Sequence, residues 1–315
     1  MPMEKRLARC AFRVALSGLL ACVVSQASSE VPAGVGLVPN LVDNIDRPLR
    51  YHPDAADFVI VNGSESFNRS MYGAHSAFRV DGGDRPEFLL YLPGRGGNLR
   101  FGIARGTNAS WLKDMAWVES RYRPGELLYQ IKDPMLGQAG SVRISVLAHV
   151  RTQGILVKIS ASDIPSGLSV IWGFGGVNGQ RGARDGDLGT EKVPISEYFQ
   201  LRPEFCEGNE ISLSAETFTL RSRAATLFGL LPQGSVSWLG DAKQWNDPEL
   251  LLGSAGAPHP ANPILMGRVA ITASSSLLFS VQRVAAGAIV PEDLTLYREV
   301  TTPTGSGNQP RSGYV

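Results

Sequence analysis

Between residues 141 and 161 the chain alternates apolar and polar positions with a period of two. Val142, Ile144, Val146, Ala148 and Val150 fall on one face, with Arg143, Ser145 and His149 on the other, the signature of a half-buried strand. Residues 154–161 repeat the pattern, with Ile155, Val157 and Ile159 against Lys158 and Ser160. The short link 151–153 makes the two segments a hairpin candidate. Further on, Ile211, Leu213 and Ala215 alternate with Ser212, Ser214 and Glu216, and Phe218 and Leu220 with Thr217, Thr219 and Arg221. Residues 168–174 are a continuous apolar run, which predicts a strand buried on both faces. Shorter β-prone runs lie at 58–61, 67–72, 77–80, 88–92, 225–231, 269–273 and 277–284.

Turn residues punctuate these runs. Asn62-Gly63 is a strong turn signal ahead of the strand at 67–72. In residues 84–103, DRPEFLLYLPGRGGNLRFGI, Pro93-Gly94 and Gly96-Gly97 form a corner between two neighbouring strands. Many short strands at this spacing predict an all-β fold, a large antiparallel β-sandwich or barrel. A helix start is read only at 291–300, where Pro291 precedes Glu292 and Asp293. The small, polar residues 301–315 read as a disordered tail. No internal repeat is visible. The expected organisation is a leader at 1–27, a flexible lead-in at 28–46, a β-sandwich domain at 47–290 and a short linker helix with the tail at 291–315.

The leader changes what the charge means. Lys5, Arg6, Arg9 and Arg13 precede the apolar run 14–24, which is too short to span a bilayer. Ser25-Gln26-Ala27 offers cleavage before Ser28, and Leu19-Leu20-Ala21-Cys22 is a second reading, lipoprotein processing at Cys22. Export to the periplasm or beyond is expected. The whole chain of 315 residues has 30 Lys+Arg and 29 Asp+Glu; removing those four cations and Glu4 leaves 26 and 28, a net of about −2. Such a balance argues against nucleic acid and anionic membrane surfaces. No other apolar run is long enough for a membrane span. Of the 3 cysteines only Cys206 lies beyond the leader, so it reads as a buried small hydrophobe without an intrachain disulfide.

Candidate chemistry concentrates in two places. Asp84 and Glu87 are close carboxylates before an apolar strand, and a glycosidase needs such a pair. The competing reading is structural, with Asp84 and Arg85 in a turn and Glu87 paired to a nearby Arg. The segment 172–189, WGFGGVNGQRGARDGDLG, presents Arg181, Arg184, Asp185 and Asp187 on a Gly-rich loop after Trp172. Arginine forks there could grip carboxylate or hydroxyl groups of a ligand. Asp185 and Asp187 could also hold calcium, although the spacing is not that of an EF-hand, so no cofactor is expected. A loop shaped only for packing, or for docking a neighbouring domain, is the alternative. Trp111, Trp117, Trp238 and Trp245 lie in less regular segments and are candidates either for stacking on sugars or for the core. The 4 histidines are dispersed, with no metal-ligand spacing. No Gly-x-Ser-x-Gly elbow occurs.

The blocks 47–73 (RPLRYHPDAADFVIVNGSESFNRSMYG), 84–103 and 172–189 together resemble a bacterial domain of unknown function found in polysaccharide-degrading bacteria. In that family the domain stands ahead of a six-hairpin (α/α) glycosidase-like domain in long exported proteins. The resemblance covers roughly residues 47–296. It implies a β-supersandwich that packs against the helical domain, and a role in glycan breakdown. It brings no catalytic residue to this chain. The chain ends soon after the expected linker helix, which counts against independent catalysis, since acid and base in such glycosidases usually come from the helical barrel. The leading expectation is therefore a non-catalytic module that binds glycan or docks a six-hairpin domain. The alternatives are a free-standing glycoside hydrolase using Asp84, Glu87, Asp185 or Asp187, and a structural envelope protein.

Overall fold

A computed structural model describes residues 51–63, 68–73, 77–149, 152–181 and 199–284, all within the unit Arg50–Val315. The expected leader, lead-in, C-terminal helix and tail lie outside the described residues, as do Arg184, Asp185 and Asp187.

The first strands are β1 (His52–Asp54), β2 (Asp57–Val61), β3 (Asn68–Tyr72), β4 (Arg79–Gly83), β5 (Glu87–Tyr91) and β6 (Arg95–Arg105). The middle of the chain adds β7 (Asn108–Trp111), β8 (Trp117–Arg123), β9 (Glu126–Lys132), β10 (Ser141–Ala148), β11 (Gly154–Ser162) and β12 (Leu168–Val177). Next come β13 (Glu210–Leu213), β14 (Thr217–Arg221), β15 (Thr226–Leu230), β16 (Val236–Asp241), α1 (Pro248–Gly253), β17 (Pro263–Ala270) and β18 (Ser276–Arg283). They form two antiparallel sheets. One has ten strands in the order β1-β2-β8-β9-β10-β11-β18-β15-β14-β13. The other has eight, in the order β16-β17-β12-β6-β5-β4-β3, with β7 paired to β6. The expected all-β antiparallel sandwich is what the chain forms.

The inward faces of the two sheets build the main core. Val142, Ile144 and Val146 from β10 and Ile155 and Val157 from β11 join Leu99, Phe101 and Ile103 from β6 and Val170, Trp172 and Phe174 from β12. Phe101 and Phe279 meet edge to face across the sandwich, with ring centroids 5.5 Å apart, a favoured aromatic geometry. The hairpin expected at 141–161 is β10–β11, with Val142 opposite Ala161 and Val146 opposite Val157.

A second, smaller core covers the outer face of the eight-stranded sheet. Trp111, Ile171, Trp238, Trp245, Leu251 and Met266 pack there. Gly173 makes room for it, because a Cβ at that position would lie 2.8 Å from the Trp245 ring. This layer is why all ten residues of β12 are buried. The tryptophan segments correct the expectation of irregular structure: Trp111, Trp117 and Trp238 lie in β7, β8 and β16. A helix also forms that was not foreseen. Asp247 caps α1 by accepting a hydrogen bond from the Leu250 amide at 2.9 Å, and Pro248 and Glu249 occupy its first turn. Among the described residues no helix is long and apolar enough to cross a membrane.

Candidate functional site

The two carboxylates marked in the sequence sit in buried networks. Glu87 on β5 faces Arg100 on β6 and forms an ion pair with it, both groups being 3% exposed. Arg100 also donates to Asn246 Oδ1 at 2.8 Å and lies over the Trp245 ring. Asp84 accepts a hydrogen bond from the Tyr51 hydroxyl and is buried. Arg85 beside it donates to the Gly63 carbonyl at 3.1 Å and to the Met115 carbonyl at 3.0 Å. The arrangement is the structural one, a turn at Asp84-Arg85 and an arginine partner for Glu87. A third buried carboxylate carried no sequence signal. Asp81 on β4 accepts from Arg79 Nε at 3.0 Å and from the Ser70 hydroxyl. Burial raises its carboxyl above the usual range, while Arg79 and Ser70 pull it back down.

Trp172 corrects the loop reading. It is fully buried in the main core, and Gly267 leaves the space its ring fills. It presents no face to a ligand. Arg181 is exposed at the end of the described part of the loop. The Gly94 corner does meet this loop: the Arg95 amide donates to the Gln180 carbonyl at 3.0 Å, and the Gly179 amide donates to the Arg95 carbonyl at 2.9 Å. Arg184, Asp185 and Asp187 lie outside the described residues, so of the expected cluster only Arg181 and Trp172 are placed. Among the described residues no group of three His, Cys, Asp or Glu side chains is placed to hold a metal. Trp111 and Trp245 are core residues with 1% exposure, so neither offers a stacking face. Burial pushes the Cys206 thiol up to about 12, which leaves it protonated and unreactive at neutral pH.

An open groove of about 580 Å³ lies elsewhere, on the outer face of the ten-stranded sheet. That volume falls within the roughly 300–1,000 Å³ of small-ligand sites. Register fixes what lines it, because residues opposite one another in a sheet share a face. One row runs Glu119, Gln130, Arg143 and Ser160 across β8 to β11. The next runs Arg121, Leu128, Ser145 and Lys158. The half nearest β1 is locked by ion pairs. Arg121 reaches Glu119 at 2.6 Å and Asp54 at 2.7 Å, and these hydrogen bonds raise its already high pKa. Arg123 grips Asp57 with two bonds of 2.8 and 2.7 Å. Glu126 accepts from the Ser145 hydroxyl at 2.6 Å.

The other half is open. Arg143 and Lys158 are exposed, and neither has an ion-pair partner among the described residues. Beside them stand the hydroxyls of Ser145 and Ser160, with Leu128 as an apolar patch between Arg121 and Ser145. The groove thus offers cationic donors, hydroxyls, an amide and a hydrocarbon surface on rigid strands. It holds two carboxylates, Glu119 and Glu126, each already engaged. Sequence alternation places Arg143, Ser145, Lys158 and Ser160 on the solvent side. It does not reveal the groove, because β8 and β9, which extend the same face, escape the reading.

No curated protein matches the chain. Among solved structures, a bacterial glucoamylase complexed with acarbose is similar at a TM-score of 0.42 and 9% identity, over 72% of this chain and 36% of that one. The chain therefore spans little more than a third of the length of that glucoamylase. Residues 92–299 match a family of bare description, and by that match the chain belongs to the family described as "Domain of unknown function (DUF4450)".

Proposed function

We propose that this chain is a non-catalytic β-sandwich module of an exported carbohydrate-degrading system, and that it holds glycan in the groove on its ten-stranded sheet. The observation that carries the reading is the groove itself: an open volume of about 580 Å³ lined by guanidinium, ammonium, hydroxyl and amide groups. Such groups satisfy sugar hydroxyls, and Leu128 can meet the C–H face of a ring. The resemblance to domains that stand ahead of six-hairpin glycosidases supports a glycan as ligand. Buried Asp84 and Glu87, each hydrogen-bonded or ion-paired, support binding over hydrolysis, because a glycosidase needs two carboxyl groups facing the same sugar bond. Docking of a helical partner domain draws less support. Among the described residues the exposed large apolar side chains Phe58, Val61, Tyr72, Leu213, Val236 and Leu250 are spread over five elements, with only Phe58 and Val61 sharing a strand, whereas interaction sites expose contiguous patches.

The test pairs binding with turnover. The purified protein is incubated with a panel of plant and microbial polysaccharides, and both retention on the polysaccharide and release of soluble sugars are measured. The expected result is retention of the protein by at least one glycan with no sugar release. A discrete soluble product released by the purified protein would sink the module reading. Absence of retention across the whole panel would sink glycan binding.

A further inference from the structure

We infer that the groove selects acidic polysaccharides, whose uronate carboxylates are held by Arg143 and Lys158; this deepens the glycan reading and rests on it. The argument begins with charge. Four cations line the groove, and two of them are neutralised: Arg121 by Glu119 and Asp54, and Arg123 by Asp57. The two that remain, Arg143 and Lys158, stand on neighbouring strands β10 and β11. Arg143 lies opposite Ser160 and Lys158 opposite Ser145. The two cations are therefore diagonal neighbours on one face, a placement that separates Cα atoms by about 7–8 Å. Both side chains are long enough to converge on one carboxylate or to take two on adjacent sugars.

The surroundings favour a carboxylated sugar over a bare anion. Each cation has a hydroxyl directly across from it, which can bond a ring hydroxyl next to the carboxylate. Leu128, opposite Ser145 in the same row, gives the groove an apolar patch. A guanidinium takes a carboxylate with two parallel bonds, while an ammonium acts as a point charge. The carboxylates of the groove are turned toward the β8 arginines, Glu119 to Arg121 at 2.6 Å and Glu126 to Arg123 at 3.8 Å, which leaves the two cations of β10 and β11 without a carboxylate of their own among the described residues.

The experiment uses polygalacturonate, alginate and fully methyl-esterified polygalacturonate, the last having the same backbone without the charge. Polyglutamate supplies charge without sugar. Binding is followed by titration calorimetry at two salt concentrations, with the unmodified protein and with Arg143→Gln, Lys158→Gln and the double variant. Polygalacturonate or alginate should bind, and the methyl ester at least about tenfold more weakly, since it lacks the charge that strengthens hydrogen bonds from a guanidinium or ammonium. Each single variant should lose a similar factor and the double variant most of the affinity. Raised salt should weaken the acidic ligand only. Equal binding of the methyl ester, or an unchanged double variant, overturns the inference and leaves glycan binding standing. Equal binding of polyglutamate overturns it too, since charge alone would then suffice. No binding to any polysaccharide overturns both this inference and the function it rests on. The comparison of acid with ester needs only the unmodified protein, so it stands whatever the variants do.

Discussion

Glu87 and Arg100 show how one side-chain pair can be conspicuous in a sequence and serve the fold. They face each other on β5 and β6 beneath the second core, and Arg100 ties the sheet to Asn246 and Trp245. Burying two charges costs more than their attraction returns unless the remaining donors and acceptors are also satisfied. Here the arginine finds a carboxylate, an amide oxygen and an aromatic face. Removing one partner strands the other charge in the interior. Glu87→Ala is expected to destabilise the protein by about 3–5 kcal/mol, and the double change Glu87→Leu with Arg100→Met to recover most of that loss. Guanidinium unfolding midpoints measure both. A double variant no more stable than Glu87→Ala would mean that the pair contributes beyond its burial cost. The same pairing keeps the Glu87 carboxylate against Arg100 and away from the surface.

At the scale of elements, the corner between β5 and β6 is set by backbone shape. Gly94 has a φ of +106°, and a Cβ there would run into the Gly179 carbonyl. That close approach is what lets the Arg95 amide and carbonyl bond the 179–180 segment. Gly106 also has a positive φ, +63°, but faces open space. Gly94→Ala should therefore cost about 2–4 kcal/mol and Gly106→Ala only about 1 kcal/mol, because the second carries backbone strain without the clash. Equal losses in urea unfolding would refute a packing role for the corner. Which elements the sequence makes legible follows from how cleanly each is half buried. β13 and β14 alternate along their whole length, β10 and β11 alternate except at Leu147 and Leu156, and β12 reads as a buried run because both of its faces are covered. β8 and β9 alternate as well, but β8 offers only Val118 as an inward aliphatic, and Leu128 of β9 faces outward. β17 starts at Pro263 and not at residue 269, since Pro263 and Gly267 mask its apolar run. Asn62 bends the chain with a φ of +50°, but β2 before it and β3 after it belong to different sheets. Asn62 instead accepts the Val118 amide at 2.9 Å and donates its own amide to the Val118 carbonyl at 2.8 Å, which ties the turn to the start of β8.

For the molecule as a whole, the two sheets differ in how many faces they cover. The eight-stranded sheet is packed on both sides around β6 and β12, by the main core within and the tryptophan layer without. Among the described residues the ten-stranded sheet is packed on one side, and its outer face around β8 to β11 is the groove. Stability is therefore expected to be graded. Amides of β6 and β12 can exchange with solvent only when both cores open, which is global unfolding, whereas β1, three exposed residues at a sheet edge, can open alone. β9 to β11 should fall between, central in their sheet but wet on one face. Hydrogen exchange followed by mass spectrometry should rank protection as β6 and β12 first, β9 to β11 next and β1 last. Exchange in β12 as fast as in β1 would refute the doubly covered sheet. The middle rank bears on function, because Arg143 and Lys158 stand on strands held by neighbours on both sides. Their backbone positions are then fixed before any ligand arrives, and binding should leave the exchange of β10 and β11 nearly unchanged. A large gain in protection on adding polygalacturonate would instead mean that the ligand orders the groove as it binds.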